Sequence, residues 1–243
     1  MQIKNTANKD EINKFNKLAK EWWDPKGKFA PLHKFNPIRQ EYLVNKISEH
    51  FNLNLNNQNP FNKINILDVG CGGGLLCEPL SRLGANVTGI DAAKTNIEVA
   101  KIHMRENDLN INYLNKKPEE IKGENFDVIL CMEIIEHVED VNFFIESCVS
   151  LMKNNGLIFF ATLNKTLKSF LFAIVGAEYI LRWLPRGTHD WKKFISPNEI
   201  INKVSKHCLA HVATEGVIYN PFKNRWNLSN DIDVNYMCYF KKN

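Results

Sequence analysis

Glu133, Glu136 and His137 stand at i, i+3 and i+4 in the run Met132-Glu133-Ile134-Ile135-Glu136-His137-Val138. One turn of helix would bring two carboxylates and an imidazole to the same face. Such a set suits a hard divalent cation such as Mg²⁺, with coordination positions left open for substrate oxygens. A cation held by the two vicinal oxygens of a catechol favours the catecholate form. Without a metal, His137 alone is a candidate catalytic base toward a phenol hydroxyl. A third reading has the same residues packing beneath a bound ligand and capping a helix. On the residues alone all three stay open.

The second chemical stretch runs from Ile64 to Gly74. Ile64, Ile66, Leu67 and Val69 form a short buried strand, glycines follow at 70, 72, 73 and 74, and Leu76, Leu80 and Leu83 mark a helix. A strand, a tight glycine turn and a helix set a ligand against backbone N–H groups at a helix N-terminus. A dinucleotide fingerprint needs its third glycine at position 75, where this chain has Leu75. Asp68 precedes the turn on the strand. About twenty residues beyond the first glycine, Asn86–Ile90 reads as a second strand ending in Asp91, placed to take both hydroxyls of a ribose. An acidic residue, Gly70-x-Gly72-x-Gly74 and a downstream Asp91 resemble the S-adenosylmethionine site of Rossmann-like methyltransferases. The zwitterionic methionyl tail of that cofactor carries no pyrophosphate, so no third phosphate-cradling glycine is required.

These residues need elements to hold them. Asn36-Pro37 reads as a helix start, N-cap followed by Pro at the first helical position, with Val44, Ile47 and Phe51 on its buried face. Arg39 then falls in the first turn, where the helix dipole opposes a cation, so an anionic partner is expected. Upstream, Phe15, Leu18, Ala19, Trp22 and Trp23 share one helical face; the two tryptophans read first as packing and second as the roof of a ligand cleft. Downstream, Ile111–Leu114, the nearly continuous apolar run Phe126–Met132 and Leu157–Thr162 are strands three to five. Val141 to Met152 is a helical stripe, and Ser196-Pro197-Asn198-Glu199 is a capping box opening a helix to about His207. Leu209–Tyr219 and Val234–Phe240 supply two closing strands. Strands alternating with helices predict an α/β fold with a mostly parallel sheet and right-handed crossovers.

At 44% hydrophobic, 243 residues can bury a full core in one domain, and no repeat divides them. A net charge of +4 is too mild to argue for a nucleic-acid partner. Six cysteines without any Cys-x-x-Cys pair read as reduced, small apolar groups of a cytoplasmic protein. Asp10 and Glu11 in an N-terminus without an apolar run argue against a secretory or transit signal. The run Phe170 to Leu184 carries only Glu178 and Arg182 as charges, yet its 15 residues fall short of the roughly 20 that span a bilayer. Lys165, Lys168, Arg186, Lys192 and Lys193 flank it, which suits a surface of anionic lipid.

The segments Phe15–Asp24, Pro31–Arg39, Leu67–Gly74, Cys131–Val138, Val175–Leu181, Gly187–Asp190 and Asp233–Met237 resemble the ubiquinone-biosynthesis O-methyltransferase family. The glycine turn alone says only methyltransferase; the double-Trp segment, the Asn-Pro-Ile-Arg stretch and the Gly-Ala-Glu-Tyr-Ile-Leu insertion narrow it. The resemblance implies a Rossmann-like class I domain over 1–243, a seven-stranded sheet with helices on both faces, an N-terminal helical cap over 10–51 and an insertion over 164–191. It implies that Arg39, Gly70, Asp91 and Met132 contact S-adenosylmethionine, beside the Asp68 and Gly72 read from the motif. Glu133, Glu136 and His137 match the family's metal positions. The implied substrates are polyprenylated catechols and quinols, methylated on oxygen at two points of the pathway. The implied surroundings are the inner face of a membrane, met through 169–186, and other enzymes of the ubiquinone pathway. Rival readings are a methyltransferase of small soluble phenols, a nicotinamide oxidoreductase (opposed by Leu75) and a non-enzymatic membrane adaptor.

Overall fold

The computed structural model describes residues 6, 8, 10–13, 21–123, 125–170, 191–220 and 225–243. The expected helical face of Phe15, Leu18 and Ala19, and most of the apolar insertion, lie outside the described residues. The strands are β1 Asn65–Val69, β2 Asn86–Ile90, β3 Asn112–Leu114, β4 Phe126–Met132, β5 Met152–Leu163, β6 Leu209–Asn220, β7 Arg225–Ser229 and β8 Asn235–Lys242. They form one sheet in the order β3-β2-β1-β4-β5-β8-β6-β7. The first five pair in parallel, and β8, β6 and β7 join antiparallel.

Among the described residues the sheet has eight strands, not the expected seven. The added member, β7, is a five-residue edge strand paired to β6 through Gly216↔Ser229 to Asn220↔Arg225. Its sequence Arg-Trp-Asn-Leu-Ser has only two apolar residues, and an edge strand with one neighbour needs no more. β8 is inserted between β5 and β6, so the two expected closing strands pair with each other in the sheet's interior.

Among the described residues the longer helices are α1 Ala30–Phe51, α2 Cys77–Arg82, α3 Lys94–Glu106, α4 Val141–Ser150 and α5 Pro197–Val204. α1 starts about two turns before the expected Asn36-Pro37, because Pro31 supplies the proline of the first turn. Pro37 is tolerated inside the helix, and Asn36 is buried within it. Arg39 therefore sits mid-helix, and the dipole argument for an anionic partner falls away; burial, not the dipole, is what makes Arg39 unusual. α1 ends on Asn52 with φ 53°, a left-handed cap. α4 is capped by Asp140, which accepts from the Phe143 backbone N–H, and α5 by Ser196, which accepts from that of Glu199.

Two apolar layers sandwich the sheet. One joins α1 (Tyr42, Leu43, Ile47) to β1, β4 and β5 through Ile66, Leu130 and Phe159. The other joins α4 and α5 (Phe144, Cys148, Ile200) to the opposite face through Leu67, Ile129, Ile158 and Phe240. Full cover on both faces explains why β4 reads as an unbroken apolar run. The C-terminal ends of β1, β2, β4 and β5 consequently converge on one rim, where Gly70, Asp91, Glu133 and Asn164 leave the sheet.

Candidate functional site

β1 delivers Asp68 and Val69 into a turn in which Gly70, Gly72 and Gly74 have φ of 75°, 54° and 89°. Two of these glycines are also spatially obligatory. A Cβ on Gly72 would lie 2.4 Å from Cζ2 of Trp22, and one on Gly74 would lie 2.1 Å from the Tyr113 hydroxyl oxygen. The Gly70 and Cys71 amides donate to the Ile90 carbonyl at 2.8 and 3.0 Å, which locks the turn to the end of β2. Beside that bond, Asp91 accepts from the Gly72 amide through Oδ2 at 3.0 Å, from the Ala93 amide through Oδ1 at 2.7 Å, and from Asn96 Nδ2 at 3.2 Å. Burial pushes the Asp91 carboxyl up, and these three donors pull it back.

Asp68 is 3% exposed and accepts a hydrogen bond from the Cys77 thiol at 3.2 Å. Burial pushes it up to about 6, opposed by the Cys77 thiol and reinforced by the charge of Asp91. Over the turn lie both tryptophans. Trp22 stacks on Phe29 at 3.9 Å and donates its indole N–H to Asn96 Oδ1 at 2.9 Å. Trp23 stacks on His103 at 3.5 Å and donates to the Gly73 carbonyl at 2.9 Å. Of the two roles weighed from sequence, packing is the one these contacts show, with both side chains laid against the glycine turn and its neighbours.

On the neighbouring strand Met132 is buried, and Glu133 follows with φ 55°, its amide donating to the Ala161 carbonyl at 2.8 Å. The chain then makes a 3-10 turn, Ile135–His137. Glu133 is outside that turn, so the three candidate metal ligands do not share the helical face that their spacing suggested. Arg39, 3% exposed, meets Glu133 instead: Nη2 lies 2.5 Å from Oε1, and the guanidinium covers the Phe35 ring at 3.9 Å. Arg39 Nε has no hydrogen-bond partner among the described residues. Burial pushes Arg39 down from its ordinary value, and the charges of Glu133 and Glu136 push it back. Glu136 is buried as well; desolvation and then Glu133 push it up to about 7, against His137 and the Thr162 hydroxyl. His137 Nδ1 faces Oε2 of Glu11 at 3.2 Å, and Glu11 Oε1 pairs with Lys193 at 3.1 Å.

Among the described residues no three His, Cys, Asp or Glu side chains gather as metal ligands. The physical reason is the company each keeps: Arg39 draws Glu133 one way and Glu11 draws His137 another. As placed, the donors do not converge on one ion. The structure pairs Arg39 with Glu133 and Asp91 with Gly72 on the same rim; sequence reasoning named all four residues but not the Arg39–Glu133 contact. That reasoning missed Asn96 and Glu11. Asn96 carried a signal, since a buried indole N–H demands an acceptor, but nothing in the sequence said which.

A methyltransferase domain family matches residues 67–160, the stretch from β1 through β5. The ubiquinone biosynthesis O-methyltransferase of Pelagibacter ubique (strain HTCC1062) is 55% identical over 240 residues, 98% of this chain and 100% of that protein. The chain belongs to the ubiquinone biosynthesis O-methyltransferase family. A further member, from Bartonella quintana (strain Toulouse), is 52% identical over 243 residues, 99% of this chain and 98% of its own length. Solved structures share the architecture at low identity. Magnesium protoporphyrin IX methyltransferase from Synechocystis PCC 6803 with bound SAH has a TM-score of 0.63 at 15% identity, covering 95% of this chain and 94% of that one. N-methyltransferase NodS from Bradyrhizobium japonicum WM9, in complex with S-adenosyl-L-homocysteine, has a TM-score of 0.60 at 14% identity, covering 96% and 97%. The expected class I fold and the expected family both stand. This ubiquinone biosynthesis O-methyltransferase family member is an S-adenosylmethionine-dependent enzyme, and the oxidoreductase and adaptor readings lapse.

Proposed function

We propose that the enzyme methylates a phenolic oxygen of polyprenylated ubiquinone precursors, 2-polyprenyl-6-hydroxyphenol and 3-demethylubiquinol, at a membrane surface. When bound, S-adenosylmethionine supplies an electrophilic methyl group on a sulfonium. Asp91 holds the ribose hydroxyls, Gly70 and Gly72 let the backbone approach the nucleoside, and Met132 and Asp68 line the pocket. Arg39, mid-helix and with its Nε unpartnered among the described residues, faces the anionic end of the methionyl group. His137, whose Nδ1 faces Glu11, is the base that takes the phenol proton. Holding both reactants in a cleft from which water is excluded supplies much of the remaining rate. Glu136, buried and pushed up to about 7, lies near enough to His137 for the imidazole's charge to oppose that rise.

The observation that carries the lipid half of the reading is an exposed apolar cluster at the two ends of the insertion. Leu167, Phe170 and Trp191 are 73%, 37% and 37% exposed, just beyond the end of β5 and beside the rim that holds Glu133. Phe170 meets Trp191 edge to face at 6.3 Å, and Lys165 Nζ lies 5.7 Å from the Trp191 ring centre. Aromatic and aliphatic tips edged with lysine are what a headgroup region accommodates. Lys168 is paired with Asp231 and Asp233, Lys193 with Glu11, and Lys165 Nζ donates to the Lys192 carbonyl at 3.3 Å, so this lysine-rich edge is held in place beside the apolar tips. No helix of the described residues is long and apolar enough to cross a membrane. Deleting Ser169–Arg186 tests the reading: turnover of a catechol with a short tail should persist while a long-tail substrate in anionic liposomes is lost. Equal turnover of both by the deleted protein would favour small soluble phenols as the true substrates.

A further inference from the structure

We infer that Asn96 and Trp22 are positioning residues for Asp91, so that the N-terminal Trp-Trp segment and the nucleoside site form one hydrogen-bonded unit. The inference rests on the reading of Asp91 as the ribose-binding carboxylate. Three bonds in series carry it: Trp22 Nε1 to Asn96 Oδ1 at 2.9 Å, Asn96 Nδ2 to Asp91 Oδ2 at 3.2 Å, and the Gly72 amide to the same Oδ2 at 3.0 Å. Asn96 is 1% exposed and Trp22 8%, so water does not substitute for either bond.

The polarity of the chain is fixed by chemistry. An indole N–H donates and never accepts, so it demands the oxygen of the Asn96 amide. The amide nitrogen is thereby turned toward Asp91, which as a carboxylate only accepts. A flipped amide would face oxygen to carboxylate on one side and N–H to N–H on the other. Trp22 thus sets the orientation of Asn96 without touching Asp91. The same ring also presses on the turn that supplies the Gly72 donor: a Cβ on Gly72 or Gly73 would lie 2.4 or 2.5 Å from Trp22 atoms. Two of the donors to Oδ2 and its neighbour turn therefore depend on one side chain from a segment that lies 74 positions before Asn96 in sequence order.

The bland competitor is that Trp22 merely packs with Phe29 and Leu75. Trp22→Phe separates the two, since phenylalanine keeps the apolar cover and removes the donor. Calorimetry with S-adenosylhomocysteine on the full-length protein should show a loss of about three- to tenfold in affinity, the span of one hydrogen bond. In turnover, KM for the methyl donor should rise by the same factor with kcat unchanged, because binding is lost equally in ground and transition states. Asn96→Ala should lose at least as much, and the double variant no more than about twofold beyond Asn96→Ala, because the relay is already cut. Asn96→Asp, which still accepts from Trp22 but sets a second carboxylate against Asp91, covers the case in which Asn96→Ala does not fold; its loss should exceed that of Trp22→Phe. Unchanged affinity in Trp22→Phe, or losses that multiply in the double variant, would overturn the relay. Asp91→Ala is the control for the underlying reading: if it binds like wild type, the ribose assignment fails, whereas loss in Asp91→Ala alone leaves that assignment standing and removes only the relay.

Discussion

The Arg39–Glu133 pair offers a way to separate architecture from ligand binding at one residue. Arg39→Met removes a guanidinium that is 3% exposed and strands a carboxylate whose side chain is 24% exposed. Breaking a fully buried pair costs about 3–5 kcal/mol. Partial access of water to Glu133 places this case at the low end, about 3 kcal/mol, and Glu136 nearby raises rather than relieves the loss of the cation. For a chain of this size that lowers the unfolding midpoint by about 6–12 °C, at roughly 2–4 °C per kcal/mol. The double variant Arg39→Met, Glu133→Gln leaves no unpaired charge between these two positions and should recover most of that loss. Recovery of stability should not bring recovery of function: affinity for S-adenosylhomocysteine should stay down by about ten- to a hundredfold, the worth of one charge-assisted hydrogen bond. Thermal unfolding without ligand, followed by calorimetry on the double variant, measures both quantities. A single variant as stable as wild type would show that the pair is not desolvated. A double variant that binds at full strength would show that Arg39 serves the fold alone.

The glycine turn should refuse side chains: Gly74→Ala combines φ of 89° with a Cβ 2.1 Å from the Tyr113 hydroxyl, and a chemical-denaturation series should find it destabilised by about 2–4 kcal/mol. Tyr113→Phe, which removes the obstructing oxygen, should recover part of that. Asp68 should show its burial through pH. Its folded value of about 6 lies above the ordinary 3.8, so protonation favours the fold: the contribution is full below 3.8 and is lost as pH rises through 6. The stability of Asp68→Asn relative to wild type should therefore grow by about 3 kcal/mol between pH 3.5 and 7.5, read from urea unfolding, and a flat difference would refute the raised value. Glu11→Gln should lower kcat on the catechol while leaving affinity for S-adenosylhomocysteine unchanged, since its carboxylate pairs with His137 and Lys193; equal loss of both would remove Glu11 from the proton-transfer step.

Most of the sheet was legible because twice-covered parallel strands announce themselves: β2 and β4 have the bounds read from the sequence, and β1 and β3 differ by one residue at their starts. β7 was not legible, since a short edge strand with one covered face has no continuous apolar signature. The start of α1 was misread because two prolines compete for the first turn, and local rules do not rank Pro31 against Pro37. At the site, the spacing of glycines and Asp91 was informative because backbone geometry there is dictated residue by residue. The Glu133-Glu136-His137 spacing misled for the opposite reason. Its reading assumed regular helix, and the left-handed Glu133 followed by a 3-10 turn redirects each side chain toward a partner remote in sequence. Arg39 and Glu11 are such partners, and no local pattern names them.

The placement of β8 between β5 and β6 has a consequence for how the chain is made. β6 and β7 leave the ribosome before the strand that joins them to the parallel half, so until Asn235–Lys242 emerges they are a hairpin with an open flank. During that interval the parallel half likewise lacks a neighbour along β5. Two unsatisfied sheet margins wait on one segment, so until Asn235–Lys242 is in place the chain is open to mispairing along both of them.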